Sequence, residues 1–189
     1  MKRAMYLCVG TAVALALSVA APAVADVTIS PVGGSFTGTI YTGDTLSELY
    51  DEDFVSDVTL RGINTNDPTG HTITLNLDSA HTLTGIRYLG DENLGWAQGI
   101  NQYTLEFFLA GNSQGNFGDS FANSTAWQEK TFSPVQADQV TLRLDSVYSG
   151  GVQWGSLSRE VLFLPEPTTL GLLALGGLCV LRRRRARGA

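Results

Sequence analysis

The side chains of this 189-residue sequence that could do chemistry are mostly carboxylates. Three of them, Asp51, Glu52 and Asp53, are consecutive, and carboxylate oxygens are the ligands that a hard cation such as Ca²⁺ prefers. Calcium binding at this segment is therefore one hypothesis. The other is an ordinary solvated acidic loop, and the sequence leaves both open.

Groups suited to covalent or acid–base catalysis are scarce. The two histidines, His71 and His81, each follow turn residues, and neither belongs to a His-Glu-x-x-His or Cys–His arrangement. A pair of carboxylates at glycosidase separation cannot be recognised without a structure. We therefore expect a protein that is not an enzyme, and a secreted hydrolase is the least favoured alternative.

Three aromatic residues lie in or beside predicted Gly-rich loops: Trp96, Tyr148 and Trp154. An aromatic ring that stacks on the apolar face of a sugar, with polar groups for the hydroxyls, is a common carbohydrate site. These three residues are the candidate ligand-binding residues. Burial in the core is the alternative for each tryptophan.

The N-terminal segment has the organisation of a signal peptide. Lys2 and Arg3 precede an apolar run over about residues 6–19, and small residues follow at Ala23 and Ala25. Signal peptidase requires small side chains at such positions. The pattern predicts cleavage after Ala25, so that residues 1–25 are a signal peptide with a helical apolar region.

The C-terminal segment has three parts in a fixed order. Pro165, Glu166 and Pro167 come first, and the uncharged residues 168–181 come second. A helix of that length spans about 21 Å, less than the roughly 30 Å hydrocarbon core of a bilayer. A basic cluster follows, which the positive-inside rule places on the cytoplasmic side: Arg182, Arg183, Arg184, Arg185 and Arg187.

This order resembles the PEP-CTERM sorting signal, with its Pro-Glu-Pro motif, short transmembrane helix and arginine cluster. The resemblance covers about the last 25 residues, 165–189. It implies that an exosortase in the inner membrane recognises the tail and cuts near the motif, and that the protein comes from a Gram-negative cell envelope. A plain membrane anchor that no enzyme processes is the alternative.

Between the two ends, residues 26–164 form one predicted extracytoplasmic domain. They contain five basic and 17 acidic residues, a net charge of −12, which excludes nucleic acid as a partner. Both cysteines, Cys8 and Cys179, lie in the ends, so the domain depends on its hydrophobic core rather than on disulfides.

Alternation of apolar and polar residues predicts strands at 72–77, 101–109 and 139–145, with weaker candidates between them. Turn residues predict loops at 66–70, 112–118 and 149–151. About eight short strands with one apolar face each predict an all-β, two-sheet jelly-roll sandwich. A short helical turn is expected within residues 43–53.

From residue 72 onward the order of features resembles the galactose-binding-like, or discoidin (coagulation-factor type C), sandwich. The resemblance is carried by these segments: 73–78, 83–89, 99–107, 115–118, 127–132, 135–144 and 158–161. The early Asp-Gly segment of that family appears only as 49–54, without its Gly and Trp. The resemblance implies a structural calcium held by Asp51 or Asp53 together with Glu160, and carbohydrate binding through loops at one end.

These observations predict an exported, non-catalytic cell-surface or extracellular-matrix protein. Its expected partners are signal peptidase and exosortase during export, the inner membrane through the C-terminal helix, and a polysaccharide or another surface component. The alternative is a structural envelope or biofilm module without a specific ligand.

Overall fold

The computed structural model of the protein describes residues 28–53, 55–90, 92–93 and 96–166. The predicted signal peptide, with Ala23 and Ala25, lies outside the described residues, as does the tail from Pro167 onward with its arginines. Within the described ranges, none of the helices has the length and apolar character needed to span a bilayer.

The described residues are almost entirely β-structure, which confirms the predicted fold class. In chain order the elements are β1 (Gly33–Phe36), β2 (Thr39–Ile40), a 3₁₀ helix (Leu46–Leu49), β3 (Val58–Arg61), β4 (Thr72–Gly90), β5 (Glu92–Asn93), β6 (Trp96–Ala97), β7 (Ile100–Leu109), β8 (Asn112–Ser120), β9 (Gln128–Val147), α1 (Ser149–Trp154) and β10 (Ser156–Pro165). The 3₁₀ helix is the short helical turn expected within residues 43–53.

Two long strands, β4 and β9, pair antiparallel and belong to both layers of the sandwich. Their ladder is irregular between Asn76 and His81 and again between Leu83 and Gly85. On one side of these points the neighbours are β1, β7 and β8, and on the other side they are β10, β3 and β2. The sheet therefore folds over on itself, and the hydrophobic core lies between its two halves.

The predicted alternation is confirmed in the central strands, where every second residue is buried. These residues are Ile73, Leu75 and Leu77 in β4, Tyr103, Leu105 and Phe107 in β7, and Val140, Leu142 and Leu144 in β9. Each fully buried large apolar side chain contributes about 1.5–3 kcal/mol. This burial is what stabilises a domain whose sequence has no cysteine between residues 26 and 164.

The loops predicted at 112–118 and 149–151 are wrong. Residues 112–118 belong to β8, the edge strand that pairs with β7, and there only Phe117 is half-buried while its neighbours are exposed. An edge strand exposed on both faces has no apolar alternation, so the sequence gives no strand signal there. Residues 149–151 begin α1.

Three stacked aromatic rings cross the core from one layer to the other. The Phe121 ring lies between those of Tyr88 and Tyr103, at centroid distances of 4.2 and 4.4 Å. The Tyr88 hydroxyl is 2.9 Å from the Ser158 hydroxyl and accepts a hydrogen bond from the Ile100 amide at 3.0 Å. Tyr88 thereby connects β4, β10 and β7.

Two glycines make room for this tyrosine. A Cβ atom at Gly90 would lie 3.1 Å from the Tyr88 ring, and one at Gly99 would lie 3.2 Å from its hydroxyl oxygen. Both distances are shorter than ordinary carbon contacts, so a side chain at either position would require the Tyr88 ring to shift by a few tenths of an ångström.

The two stacked tyrosines give a matched test of buried hydrogen bonding. The Tyr103 hydroxyl is buried without a hydrogen-bond partner, whereas that of Tyr88 has two. We expect Tyr88→Phe to lower the free energy of unfolding by about 1–3 kcal/mol, because it leaves buried partners unsatisfied. Tyr103→Phe should be neutral or stabilising. Urea denaturation measures both, and equal losses in the two variants would contradict this explanation.

Candidate functional site

The acidic segment folds into a loop that uses two of its carboxylates internally. The Asp51 carboxylate accepts a hydrogen bond from the Asp53 amide at 2.8 Å. The Asp53 carboxylate accepts from the Val55 amide at 3.1 Å and from the Ser56 hydroxyl at 2.9 Å. These bonds shape the loop, so the two aspartates are structural residues whatever else they bind.

Glu52, at the centre of this loop, has a backbone φ of 63°. This is the left-handed region that glycine adopts most easily. Its carboxylate accepts a hydrogen bond from the Ser30 hydroxyl. The Gly that the sequence lacks in its Asp-Gly segment is therefore replaced by a glutamate in a backbone conformation that glycine favours.

Glu160 lies on β10 beside this loop and is fully buried, at 0% exposure. Neither carboxyl oxygen has a hydrogen-bond partner of normal geometry among the described residues. The pKa of Glu160 is raised to about 8, chiefly because the carboxyl group is buried. An interaction with the backbone of Glu52 lowers this pKa, whereas the negative charges of Asp51, Glu52 and Asp53 raise it. Glu160 is therefore a buried residue and not an exposed charge at the end of a strand.

A buried carboxyl group beside three other acids requires a compensating positive charge if it is to ionise. A divalent cation with a preference for oxygen would supply that charge. The described residues contain no group of three or more His, Cys, Asp or Glu side chains placed to hold a metal. Of the three predicted metal ligands, Glu160 is the one whose carboxyl oxygens accept no hydrogen bond of normal geometry, whereas Asp51 and Asp53 both accept bonds within the loop.

A second candidate site lies at the end of the sandwich where β3 ends and β10 begins. A polar depression of about 290 Å³ is lined there by Thr39, Arg61, Gly62, Asn64, Thr65 and Asn66. The Arg61 guanidinium lies 4.5 Å from the centroid of the Tyr41 ring, and its Nε atom is buried without a hydrogen-bond partner. A guanidinium with amide and hydroxyl neighbours is suited to a ligand rich in oxygen acceptors.

Helix α1 is joined by a hydrogen bond to one of the residues that line this depression. The Asn66 side-chain amide donates to the Gln153 carbonyl at 2.7 Å. Trp154 is 51% exposed, and the following residue, Gly155, packs against the stem of Arg61. The predicted ligand residue Trp154 is thus exposed rather than part of the core, and its two chain neighbours contact residues that line the pocket.

The other two predicted ligand residues are Trp96 and Tyr148. Helix α1 contacts β6, the strand that contains Trp96, so the structure brings the two tryptophan-bearing segments together. Tyr148 is half-buried, and its hydroxyl donates to the Phe121 carbonyl at 2.8 Å. The hydroxyl of Tyr148 therefore holds the loop in place, and only its ring edge remains for a ligand.

The side chains at His81 resemble a catalytic triad in composition only. The Ser79 hydroxyl is 3.1 Å, and the Asp78 carboxylate 2.6 Å, from the same Nε2 atom of His81. A triad requires the acid and the nucleophile to bond opposite nitrogens of the ring. His81 also lowers the pKa of Asp78 through this hydrogen bond. The cluster is a turn contact rather than a relay.

One short motif of hydrolases is present without its structural context. Residues 111–115 read Gly-Asn-Ser-Gln-Gly, which matches Gly-x-Ser-x-Gly. In hydrolases that serine sits on a sharp strand-to-helix turn. Here Ser113 lies on the edge strand β8, and its hydroxyl donates to Glu106 at 3.0 Å. Ser113 is therefore not placed as a nucleophile.

Both ends of the described chain leave the sandwich at the opposite pole from Arg61 and Trp154. Strand β10 starts beside β3 at Ser156 and ends at Pro165, which pairs with Leu83. Ten residues at about 3.3 Å each make a strand about 30 Å long. Ile29 pairs with Phe163 near the far end, so the chain also enters there.

Sequence reasoning missed the polar pocket. Arg61, Asn64 and Asn66 come from one connection that runs from β3 toward β4, and the turn residues at 66–70 gave its only signal. The close spacing of one arginine and two asparagines in a loop could have drawn attention to it. Nothing in the sequence indicated that Gly155 would pack on Arg61.

Residues 164–185 match a family model described as the PEP-CTERM protein-sorting motif. The match includes Pro165, Glu166, Pro167 and Arg182–Arg185, the residues that predicted it. Such a motif indicates an exported, envelope-associated protein. No curated protein is similar to this chain in sequence.

The structure of residues between the two ends is similar to carbohydrate-binding modules. The family 32 module of Clostridium perfringens NanJ, solved in complex with galactose, is 15% identical with a TM-score of 0.60, covering 72% of this chain and 98% of that chain. The two such modules of Clostridium perfringens ZmpB, solved with GalNAc, are 11% identical with a TM-score of 0.60, covering 72% of this chain and 33% of that chain.

A third similar structure is the C-terminal domain of a chitobiase from Bacteroides fragilis. It is 20% identical with a TM-score of 0.56, covering 74% of this chain and 98% of that chain. At these identities the likeness shows the fold and not the ligand. The chain therefore has a discoidin-like, galactose-binding-like β-sandwich and carries a PEP-CTERM sorting motif at its C-terminal end.

Proposed function

We propose that this is an exported, non-catalytic surface or matrix protein that exosortase sorts and whose sandwich binds carbohydrate. The ligand site is the pole that contains Arg61, Asn66 and Trp154. The observation that carries the proposal is an exposed tryptophan on helix α1, which is bonded through Gln153 to Asn66 in the lining of a polar pocket that also contains Arg61. Stacking on the ring and hydrogen bonds from the pocket are the two elements that sugar binding requires.

The placement of this pole supports the proposal. The described chain enters beside Phe163, where Ile29 pairs with it, and its last strand ends at Pro165, about 30 Å from the Arg61 pole. A protein held by its tail would present the Arg61 pole outward. The net charge of −12 for residues 26–164 keeps the domain away from anionic lipid.

Binding to a glycan array tests the ligand proposal. We expect Trp96→Ala, Trp154→Ala and Arg61→Ala each to weaken binding about tenfold or more, which corresponds to about 1.4 kcal/mol. Arg143→Ala is the matched control, because Arg143 pairs with Asp145 on β9 and is not among the residues that line the pocket. Wild-type protein that binds no glycan would favour the structural-module alternative.

We also propose a structural calcium ion held by Glu160 and the loop that contains Asp51 and Asp53. Calcium would supply the positive charge that the buried carboxylate needs, and the predicted aspartates would shape the loop around it. Its chemistry is structural, since it would tie β10 to the loop before β3. No step of ligand binding passes through the metal.

The pKa of Glu160 gives this calcium proposal a pH signature. In the metal-free protein the pKa of Glu160 in the folded state, about 8, exceeds the ordinary glutamate value of 4.5, so between these pH values the folded state holds the proton more tightly. Stability therefore falls as pH rises from about 4.5 to 8. With calcium present the ionised form of Glu160 is favoured, and this loss of folding stability should disappear.

Thermal unfolding with EDTA and with calcium, at pH 5 and pH 8, measures the effect. We expect calcium to raise the Tm at pH 8 but much less at pH 5. Glu160→Gln should remove both the rise in Tm on addition of calcium and the fall in Tm of the metal-free protein between pH 5 and pH 8. Glu106→Gln, on β7, should retain both. A calcium effect of the same size in Glu160→Gln would exclude Glu160 as a ligand.

Intact-mass measurement of protein from fractionated cells tests both processing events. We expect a mature species that begins at Asp26 and ends near Pro165. A mature species that retains Arg182–Arg185 would show that the tail is a plain anchor and that exosortase does not process it.

A further inference from the structure

The first residues of the sorting motif are also the last residues of the sheet. The matched motif starts at residue 164, and β10 continues to Pro165, which pairs with Leu83 on β4. Beyond the strand, the Glu166 amide donates to the Thr82 carbonyl at 3.0 Å. The motif therefore does not begin on a free linker.

Thr84 holds this strand end through its side chain. Its hydroxyl donates to the Pro165 carbonyl at 3.0 Å and lies 3.3 Å from the Leu164 carbonyl. The ladder has a register shift between Leu164 and Pro165, and a proline has no amide hydrogen to donate. Ladder bonding is therefore weakest at this point, and the Thr84 hydroxyl compensates for it.

Just upstream, β10 is held more firmly from its other edge. Ile29 and Phe163 exchange two backbone hydrogen bonds of 2.8 and 3.0 Å, and the Phe163 side chain is fully buried in the core. Leu164 and Pro165, by contrast, are only half-buried. The structure therefore divides β10 into a fixed part that ends at Phe163 and a short end, residues 164–166, that can open locally.

We propose that Thr84 is a latch that withholds the Pro-Glu part of the sorting motif until the end of β10 opens. The proposal rests on the proposed sorting of the chain by exosortase. An enzyme that binds the motif needs its backbone amide and carbonyl groups, and the closed strand uses those groups within the sheet. The rate of processing is then set by the fraction of molecules in which residues 164–166 have left the sheet.

Hydrogen exchange of the full chain in detergent micelles tests the latch directly. Thr84→Val keeps the shape of the side chain and removes the hydroxyl. We expect exchange of the Glu166 amide to become about tenfold faster while exchange of the Phe163 amide does not change. Equal acceleration of both amides would mean a general loss of stability, and no acceleration would mean no latch. Either result overturns the proposal.

Pulse-chase measurement in cells with exosortase tests the consequence for sorting. Thr84→Val should be processed about threefold to tenfold faster than wild type, and Thr84→Ser, which keeps the hydroxyl, should match wild type. Thr74→Val is the matched control, because Thr74 lies on the same strand but pairs with Ser35 and Thr141. Unchanged processing of Thr84→Val would overturn the latch as a control of sorting.

The two proposals fail in different ways. If wild-type protein is not processed at all in the presence of exosortase, the proposed sorting is wrong, and the exchange rates of Glu166 and Phe163 still decide whether Thr84 holds the strand end. If wild-type protein is processed and the exchange rate of Glu166 does not respond to Thr84→Val, sorting stands and the latch is wrong.

Discussion

The antiparallel ladder between β4 and β9 is the contact on which the rest of the sandwich depends. Each strand contributes to both layers, so this one pairing sets the positions of β1 and β7 on one side and of β10 on the other. The rings of Tyr88, Phe121 and Tyr103 then join the layers through the core. A domain without disulfides needs such a continuous connection, because apolar burial alone does not fix which strands lie side by side.

The ladder also explains why the two candidate sites lie where they do. Strand β10 pairs with the second half of β4, which places Glu160 under the acidic loop and Ser156 beside β3. The same strand therefore positions the buried carboxyl group near its middle, the polar pocket at its beginning and the sorting motif at its end. Three features that are separate in the sequence therefore lie along one strand. They are the loop at 51–53, the connection after β3 and the C-terminal motif.

Sequence patterns predicted the core of this fold because burial leaves a trace in alternation. Leu75, Leu105 and Leu142 each stand between polar neighbours, and each is fully buried. The same reasoning failed for β8, since an edge strand held by backbone bonds to β7 can be built from Asn, Gln, Gly and Ser. It also could not show that Glu160 is buried, because Arg159 and Glu160 are adjacent in β10 and a charged pair at the start of an apolar run gives no sign that either residue faces the core. The sorting motif and Trp154 could be found in the sequence, whereas the Arg61 pocket depends on how the connection after β3 folds back beside Thr39.

The central position of β10 has a consequence for when the domain can fold. This strand lies between β3 and β4, so the second layer is incomplete until residues 156–165 are in place. Those residues are the last of the domain to be synthesised and the last to pass through an export channel. The second layer therefore cannot close before this last segment has joined it. Because the sorting motif begins at residue 164, the residues that complete the sheet include the first residues of the motif.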